Sequence, residues 1–203
     1  MKTERENYHH GDLRQALIDA ALELVVEKDV SSVSLREVAR KAGVSHAAPY
    51  RHFEDKEALL AAVAQEGLEM FNYSLYEANQ HITNPLEKLE VGCSAYVRYA
   101  IAHPSYYRIM FGAYGANVEK KYPFLADSIQ QSWMQFVNII ALGQSMGLIR
   151  PGDPEQLAQG VWALTHGFAM LVLDNQITLK DSREIEFRSR FTIRLLMEGL
   201  MKR

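Results

Sequence analysis

Apolar residues recur along this chain at helical spacing, and polar or glycine-proline punctuation separates the runs. Leu13, Leu17, Ala21, Leu24 and Val25 share one helix face, with Asp12 and Gln15 as a cap pair at its start. That pattern fades at Lys28-Asp29. Ser34-Leu35-Arg36-Glu37 reads as a capping box, followed by a stripe of Leu35, Val38, Ala39 and Ala42. Gly43 stands where a helix end needs a left-handed residue, and Ser45 reads as a fresh N-cap two residues on. The stretch from His46 to His52 predicts a helix too short to stand alone. Asp55 starts a longer helix that turns Leu59, Leu60, Val63, Leu68, Phe71 and Leu75 to one side. Gly67 inside it costs about 1 kcal/mol of helix propensity relative to alanine.

The second half continues in the same way. Asn84-Pro85-Leu86-Glu87 starts a helix, and His103-Pro104 breaks the chain again. Tyr122-Pro123 opens a helix carrying Leu125, Ile129, Trp133, Phe136, Val137 and Ile140, which Gly147 closes. Asp153-Pro154-Glu155-Gln156 leads into Leu157, Val161, Leu164, Phe168 and Leu171. Asp181 with Glu184 starts the last helix, bearing Phe187, Phe191, Leu195 and Leu196 and running to about Met201. No segment alternates as a strand does. The expectation is an all-α fold of about nine helices. A small N-terminal domain, residues 1–56, precedes a larger helical domain, residues 57–203, and the helix over 55–80 bridges them.

Composition narrows the class. With 48% apolar and 23% charged residues in 203, the chain can bury a core, which excludes a disordered tail or a collagen. A single cysteine, Cys93, cannot close an intrachain disulfide or build a cysteine-rich zinc site. The most apolar run, Val161 to Leu173, is 13 residues long, against the roughly 20 a membrane span needs. The N-terminus has no apolar core of the signal-peptide kind. A soluble cytoplasmic protein without metal or cofactor is expected. His9-His10 reads as an arm rather than a metal site.

The chemistry concentrates between Ser34 and Lys56. A capped helix, an Ala-Gly-Val turn and a short second helix make a helix-turn-helix plan. A protruding helix about 10 Å wide fits the major groove of DNA, about 12 Å wide. His46, Ala47, Tyr50, Arg51 and His52 should face outward: His46 to a base edge, Ala47 to a thymine methyl, Tyr50 and His52 to phosphates. Lys56 suits a phosphate, and Arg36 and Arg40 lie on the preceding helix. Val44 and Phe53 read as packing residues. The stretch from Ser45 to Phe53 holds no acid, which a solvated face or a protein-only adaptor would not require. No HExxH, phosphate-binding glycine loop or Ser-His-Asp layout supports an enzyme.

Net charge is −3, from 22 Lys and Arg against 25 Asp and Glu, so positive charge for DNA must be local. Residues 1–53 hold eight of each sign, and Val38 to Phe53 holds three basic residues, two histidines and no acid. A modest salt dependence follows, since each neutralised phosphate contributes about −0.9 to the slope.

Residues 12–60 resemble the DNA-binding domain of TetR-family transcriptional regulators. The resemblance is carried by Leu13 to Val25, Ser34 to Ala39, Ala42-Gly43-Val44-Ser45, Tyr50-Arg51-His52-Phe53 and Lys56 to Leu60. It implies that positions Ser34, Arg36, Ser45, His46, Ala47, Tyr50, His52 and Lys56 face a double-stranded operator. Pro49 departs from the pattern, where many members carry Leu or Ile. Trp162 to Gly167 and His103 to Phe111 resemble one subgroup of the family's C-terminal domains. The family implies an effector pocket there, a homodimer through the last two helices, and release of a repressor from a palindromic operator by a small ligand.

An interior rich in aromatic and Met residues suits a small apolar or aromatic effector, with Tyr107, Met110, Phe111, Trp133, Phe136, Trp162, His166 and Met170 as candidate lining. The same residues also suit a filled core, and His166 suits a buried hydrogen-bonded or interface role more than a ligand contact. The helix over 154–173 is apolar nearly all round, so one buried face does not account for it. With the stripe on the last helix it offers Leu164, Phe168, Phe187, Phe191 and Leu195 to a second copy. A two-fold dimer presents its recognition elements about one DNA turn, or a multiple, apart.

Overall fold

The structure, a computed structural model, describes residues 13–28, 30–112 and 121–200. The Asp12 cap, the His9-His10 pair and Met201 lie outside the described residues. The fold is all-α. Among the described residues the helices are α1 (Leu13–Glu27), α2 (Leu35–Lys41), α3 (Lys56–Asn79), α4 (Pro85–Ala102), α5 (Pro104–Phe111), α6 (Pro123–Ser145), α7 (Pro154–Leu173) and α8 (Ser182–Leu200). Two single 3-10 turns, Val30–Ser32 and Pro49–Arg51, punctuate the N-terminal part.

The local signals act as the side chains dictate. Ser34 and Glu37 form a reciprocal capping box at the start of α2. Asn84 accepts from Leu86 and Glu87 N–H groups, Asp153 from Glu155, and Asp181 from Glu184. Asp55 does the same for Ala58 at the head of α3. Gly43 ends α2 with φ at +71°, a region in which an L side chain is strained.

The chain divides into two compact units, one of Met1–Gly67 with Ser105–Ala126 and one of Leu68–Pro104 with Asp127–Arg203. Helix α3 is continuous through Gly67.

In the first unit α1 packs on α2, and Leu17, Ile18, Ala21, Val38, Ala39, Leu59, Leu60, Val63 and Tyr107 are buried. The segment Ser105–Ala126 is fastened to α3 at two places. Near its start, the Tyr106 hydroxyl donates to Glu66, whose other carboxylate oxygen accepts from Gln15 of α1 at 3.1 Å. Gly67 matters here, because a Cβ on it would stand 2.8 Å from Tyr106 Cδ1 and 2.9 Å from Met110 Sδ. Near its other end, Lys121 Nζ lies 2.6 Å from Asp55 Oδ2 and 3.0 Å from Glu57 Oε2. The Tyr122 hydroxyl donates to Asp55 Oδ1 at 3.3 Å. The hydrogen bond from Lys121 is the main reason the Asp55 carboxyl titrates below its ordinary range.

The second unit is built on α4, which packs against both α7 and α8, while α7 and α8 pack on each other. Its core joins Leu89 and Cys93 of α4, Val137 and Ile140 of α6, Ile149 of the following connection, Ala158 and Val161 of α7, and Ile193 and Met197 of α8. Burial pushes the Cys93 thiol up to about 11, which makes it an inert packing group.

Candidate nucleic-acid interface

The segment between α2 and α3 differs from its expectation in form. No α-helix starts at Ser45. The Ala48 N–H donates to the Ser45 carbonyl, Arg51 to Ala48, and His52 and Phe53 both to Pro49. The result is one 3-10 turn over Pro49–Arg51 with a tight approach to it. Proline supplies no N–H, and the stretch is too short to repay an α-helical nucleus.

Two residues hold this turn down. Pro49 and Phe53 are buried, and Val44 is half-buried, its N–H bonded to the Ala39 carbonyl at 2.9 Å. With the anchors inward, Ser45, His46, Ala47, Tyr50, Arg51 and His52 are all exposed, Tyr50 by 55%. Six exposed side chains without an acid therefore stand over the buried Pro49 and Phe53. Arg36 is exposed on α2.

Three expected contributors sit otherwise. Ser34 is half-buried, and its hydroxyl donates to Glu37 Oε2 at 2.7 Å, so it is engaged in capping α2. Lys56 is half-buried and donates to the Ser31 carbonyl at 2.7 Å. Lys41, counted into the basic stretch, is paired with Glu23 and Glu27 of α1 at 3.0 and 2.8 Å. Those two carboxylates hold the Lys41 ammonium above its ordinary range.

The candidate effector residues fall into two groups. Tyr107, Met110 and Phe111 belong to the first unit, where Tyr107 is wholly buried with its ring 4.8 Å from that of Phe111. Tyr107 is thus packing rather than the wall of an open site. Trp133, Phe136, Trp162, His166 and the half-buried Met170 belong to the second. There the rings of Trp133 and Phe136 lie 5.9 Å apart, Trp133 and Trp162 6.2 Å, and Trp162 and His166 5.5 Å.

A polar relay crosses that aromatic cluster. The Trp162 indole N–H donates to the Tyr96 hydroxyl at 3.3 Å, and the Tyr96 oxygen lies 2.9 Å from His166 Nδ1. The indole can only donate, so the Tyr96 oxygen accepts from Trp162, while the direction of its bond with Nδ1 follows the His166 tautomer. Burial lowers the His166 pKa and so favours the neutral ring. The sequence singled out His166 and Trp162. Their partner on α4, 66 and 70 residues away, carries no local signal. Among the described residues no group of three His, Cys, Asp or Glu is placed to hold a metal ion.

Of the residues expected at a dimer interface, Leu164, Phe187, Phe191 and Leu195 are exposed, with Leu171 beside them. The rings of Phe187 and Phe191 stack at 6.4 Å and 14°. Phe168 is the exception, because it is buried inside its own protomer and so faces the core. Among the described residues no helix is long and apolar enough to cross a membrane.

A helix-turn-helix unit with an exposed, acid-free recognition turn, joined to a second helical unit, is the plan of a DNA-binding transcriptional regulator. Residues 17–63 match the family described as bacterial regulatory proteins, tetR family, and residues 89–191 match the tetracyclin repressor-like C-terminal domain. A solved protein of unknown function from Rhodococcus sp. RHA1 is 30% identical, with 98% of this chain and 100% of that one covered and a TM-score of 0.77. A bacterial regulatory protein in the tetR family from Rhodococcus RHA1 is 22% identical over 93% of this chain and 98% of its own, with a TM-score of 0.74. The fatty acid degradation regulator of Bacillus halodurans shares the fold at 18% identity, with coverage of 96% and 100% and a TM-score of 0.77. The chain belongs to the TetR family of transcriptional regulators. Regulators of this family bind DNA, usually as homodimers that respond to small-molecule effectors.

Proposed function

We propose that this regulator binds a palindromic operator as a homodimer through the outer side chains of its recognition turn, and that a small apolar or aromatic effector releases it. DNA recognition falls to residues 1–56 and effector binding and dimerisation to 57–203, with α3 bridging. The observation that carries this reading is the run Ser45, His46, Ala47, Tyr50, Arg51 and His52, all exposed and none acidic, on the buried anchors Pro49 and Phe53. His46 and Ala47 lead the turn and suit base edges, whereas Tyr50, Arg51 and His52 suit phosphates. Arg36 adds a backbone contact from α2, and Ser34 and Lys56 serve by fixing α2 and the head of α3.

For the effector, the support is the aromatic cluster of Trp133, Phe136 and Trp162 around the Tyr96–His166 pair, apolar walls with one polar point. For the dimer it is the bare stripe of Leu164, Phe187, Phe191 and Leu195. Selection of bound duplexes from a random pool tests the reading. The recovered site should be two-fold symmetric, and Tyr50→Ala should weaken binding to it at least tenfold. His46→Ala should relax base preference within each half-site. Recovery of no preferred sequence would refute it.

A further inference from the structure

Ion pairs engage several cations of the first unit. Lys28 is bound to Glu37, Lys41 to Glu23 and Glu27, and Lys121 to Asp55 and Glu57. Arg14, Arg36, Arg40 and Arg51 make no ion pair among the described residues. These four arginines therefore keep their charge for an outside partner. Guanidinium is the better phosphate ligand of the two, because its planar fork matches two oxygens at once and it is weakly hydrated.

Arg36, Arg40 and Arg51 lie within the helix-turn-helix. Arg14 does not; it is the second residue of α1. Its guanidinium nevertheless stands 5.5 Å from the centroid of the Phe53 ring. Phe53 closes the recognition turn through its N–H bond to the Pro49 carbonyl, and its ring lies 6.5 Å from that of His52. An aromatic face attracts the cation and leaves its N–H edges outward. The stack therefore brings a charge from α1 to the end of the recognition surface and holds it there, on the same ring that anchors the turn.

We propose that Arg14 is a phosphate-binding residue of the DNA interface, positioned by Phe53, so that the footprint on the duplex includes the first turn of α1. This rests on the operator reading above. Phosphate binding acts on any duplex, so the two can be tested apart.

The experiment titrates salt on the full-length protein, wild type and Arg14→Gln, against the selected operator and an unrelated duplex of equal length. Arg14→Gln should weaken both duplexes by a similar factor, on the order of tenfold for a dimer, and reduce the salt slope by about 0.9 per protomer. Arg14→Lys should keep the slope. An unchanged slope in Arg14→Gln, with or without a lower melting temperature, would show that the stack only supports Phe53 and would overturn the proposal. A wild type that binds both duplexes equally would defeat the operator reading while the slope still decides Arg14. Binding to neither would overturn both.

Discussion

Replacing Phe191 by glutamine should dissociate the dimer without unfolding the chain. The ring is 54% exposed in the single protomer, and an aromatic side chain buries about 150–250 Å² when covered. Roughly 100 Å² of Phe191 is therefore open to a partner, which at about 25 cal/mol per Å² is about 2.5 kcal/mol. Two-fold symmetry repeats the loss in the second protomer, giving about 5 kcal/mol at full coverage. At 1.4 kcal/mol per decade that weakens the dimer by about three decades or slightly more. Glutamine is a good helix former, so α8 itself is not the object of the change. The inward side of α8, Ile193 and Met197, is untouched. Sedimentation velocity across a nanomolar to micromolar series reads the dissociation constant, and a circular dichroism melt of the monomer checks the fold. The variant should be monomeric where the wild type is dimeric, and its operator affinity should fall with the loss of the second half-site contact. A dissociation constant within threefold of wild type, or a wild type monomeric throughout the series, would refute the assignment of this face.

Gly67→Ala should destabilise the chain although it removes a poor helix former. The helix gains up to about 1 kcal/mol, but a methyl 2.8 Å from Tyr106 Cδ1 and 2.9 Å from Met110 Sδ costs about 1–3 kcal/mol of overpacking. Urea denaturation should show a net loss of about 1 kcal/mol, and the sign should reverse in a Tyr106→Ala background. The pH dependence carried by His166 follows from burial, which lowers its pKa in the folded chain below the ordinary 6.5. The unfolded chain then binds more protons, so this contribution is complete above pH 6.5 and is lost as pH falls below it. Melting temperature should fall between pH 7.5 and 5.5 in the wild type and fall less in His166→Asn.

Most of the fold was legible because its signals are local. Ser34 with Glu37, Asp55 with Ala58, and Asn84, Asp153 and Asp181 with the N–H groups just beyond them act over two or three residues, and the chain writes those next to each other. The recognition segment was misjudged in form for a related reason. Each residue from Ser45 to His52 tolerates a helix, but the missing Pro49 donor and the buried pair Pro49 and Phe53 decide between an α-turn and a 3-10 turn. Phe168 shows the limit of periodicity. The pattern on α7 marks several apolar faces but does not say which one its own protomer covers. Tyr107 shows the same limit for composition, since an aromatic-rich stretch looks alike whether it lines a pocket or fills a core. Glu66 with Tyr106, and Asp55 with Lys121, join segments far apart in sequence and left no trace in it.

Charge shows how much the long-range pairs alter a reading made along the chain. A total of −3 opposes DNA binding, and the local count from Val38 to Phe53 answers it with Arg40, Lys41 and Arg51. The structure changes that account on both sides. Lys41 is spent on Glu23 and Glu27, so it is no longer available to a phosphate. The same pairing offsets one of the two negative charges that Glu23 and Glu27 place on α1. Lys28 offsets Glu37, and Lys121 offsets one of the two charges of Asp55 and Glu57. The unit does not need to be basic overall, because these lysines offset part of its acidic charge while Arg14, Arg36, Arg40 and Arg51 make no ion pair among the described residues. At about 0.9 per phosphate these four arginines would contribute up to about 3.6 to the salt slope per protomer. Tyr50, His46 and His52 add directional bonds that release no counterions while neutral, so selectivity rests on them and on the two-fold spacing rather than on bulk charge.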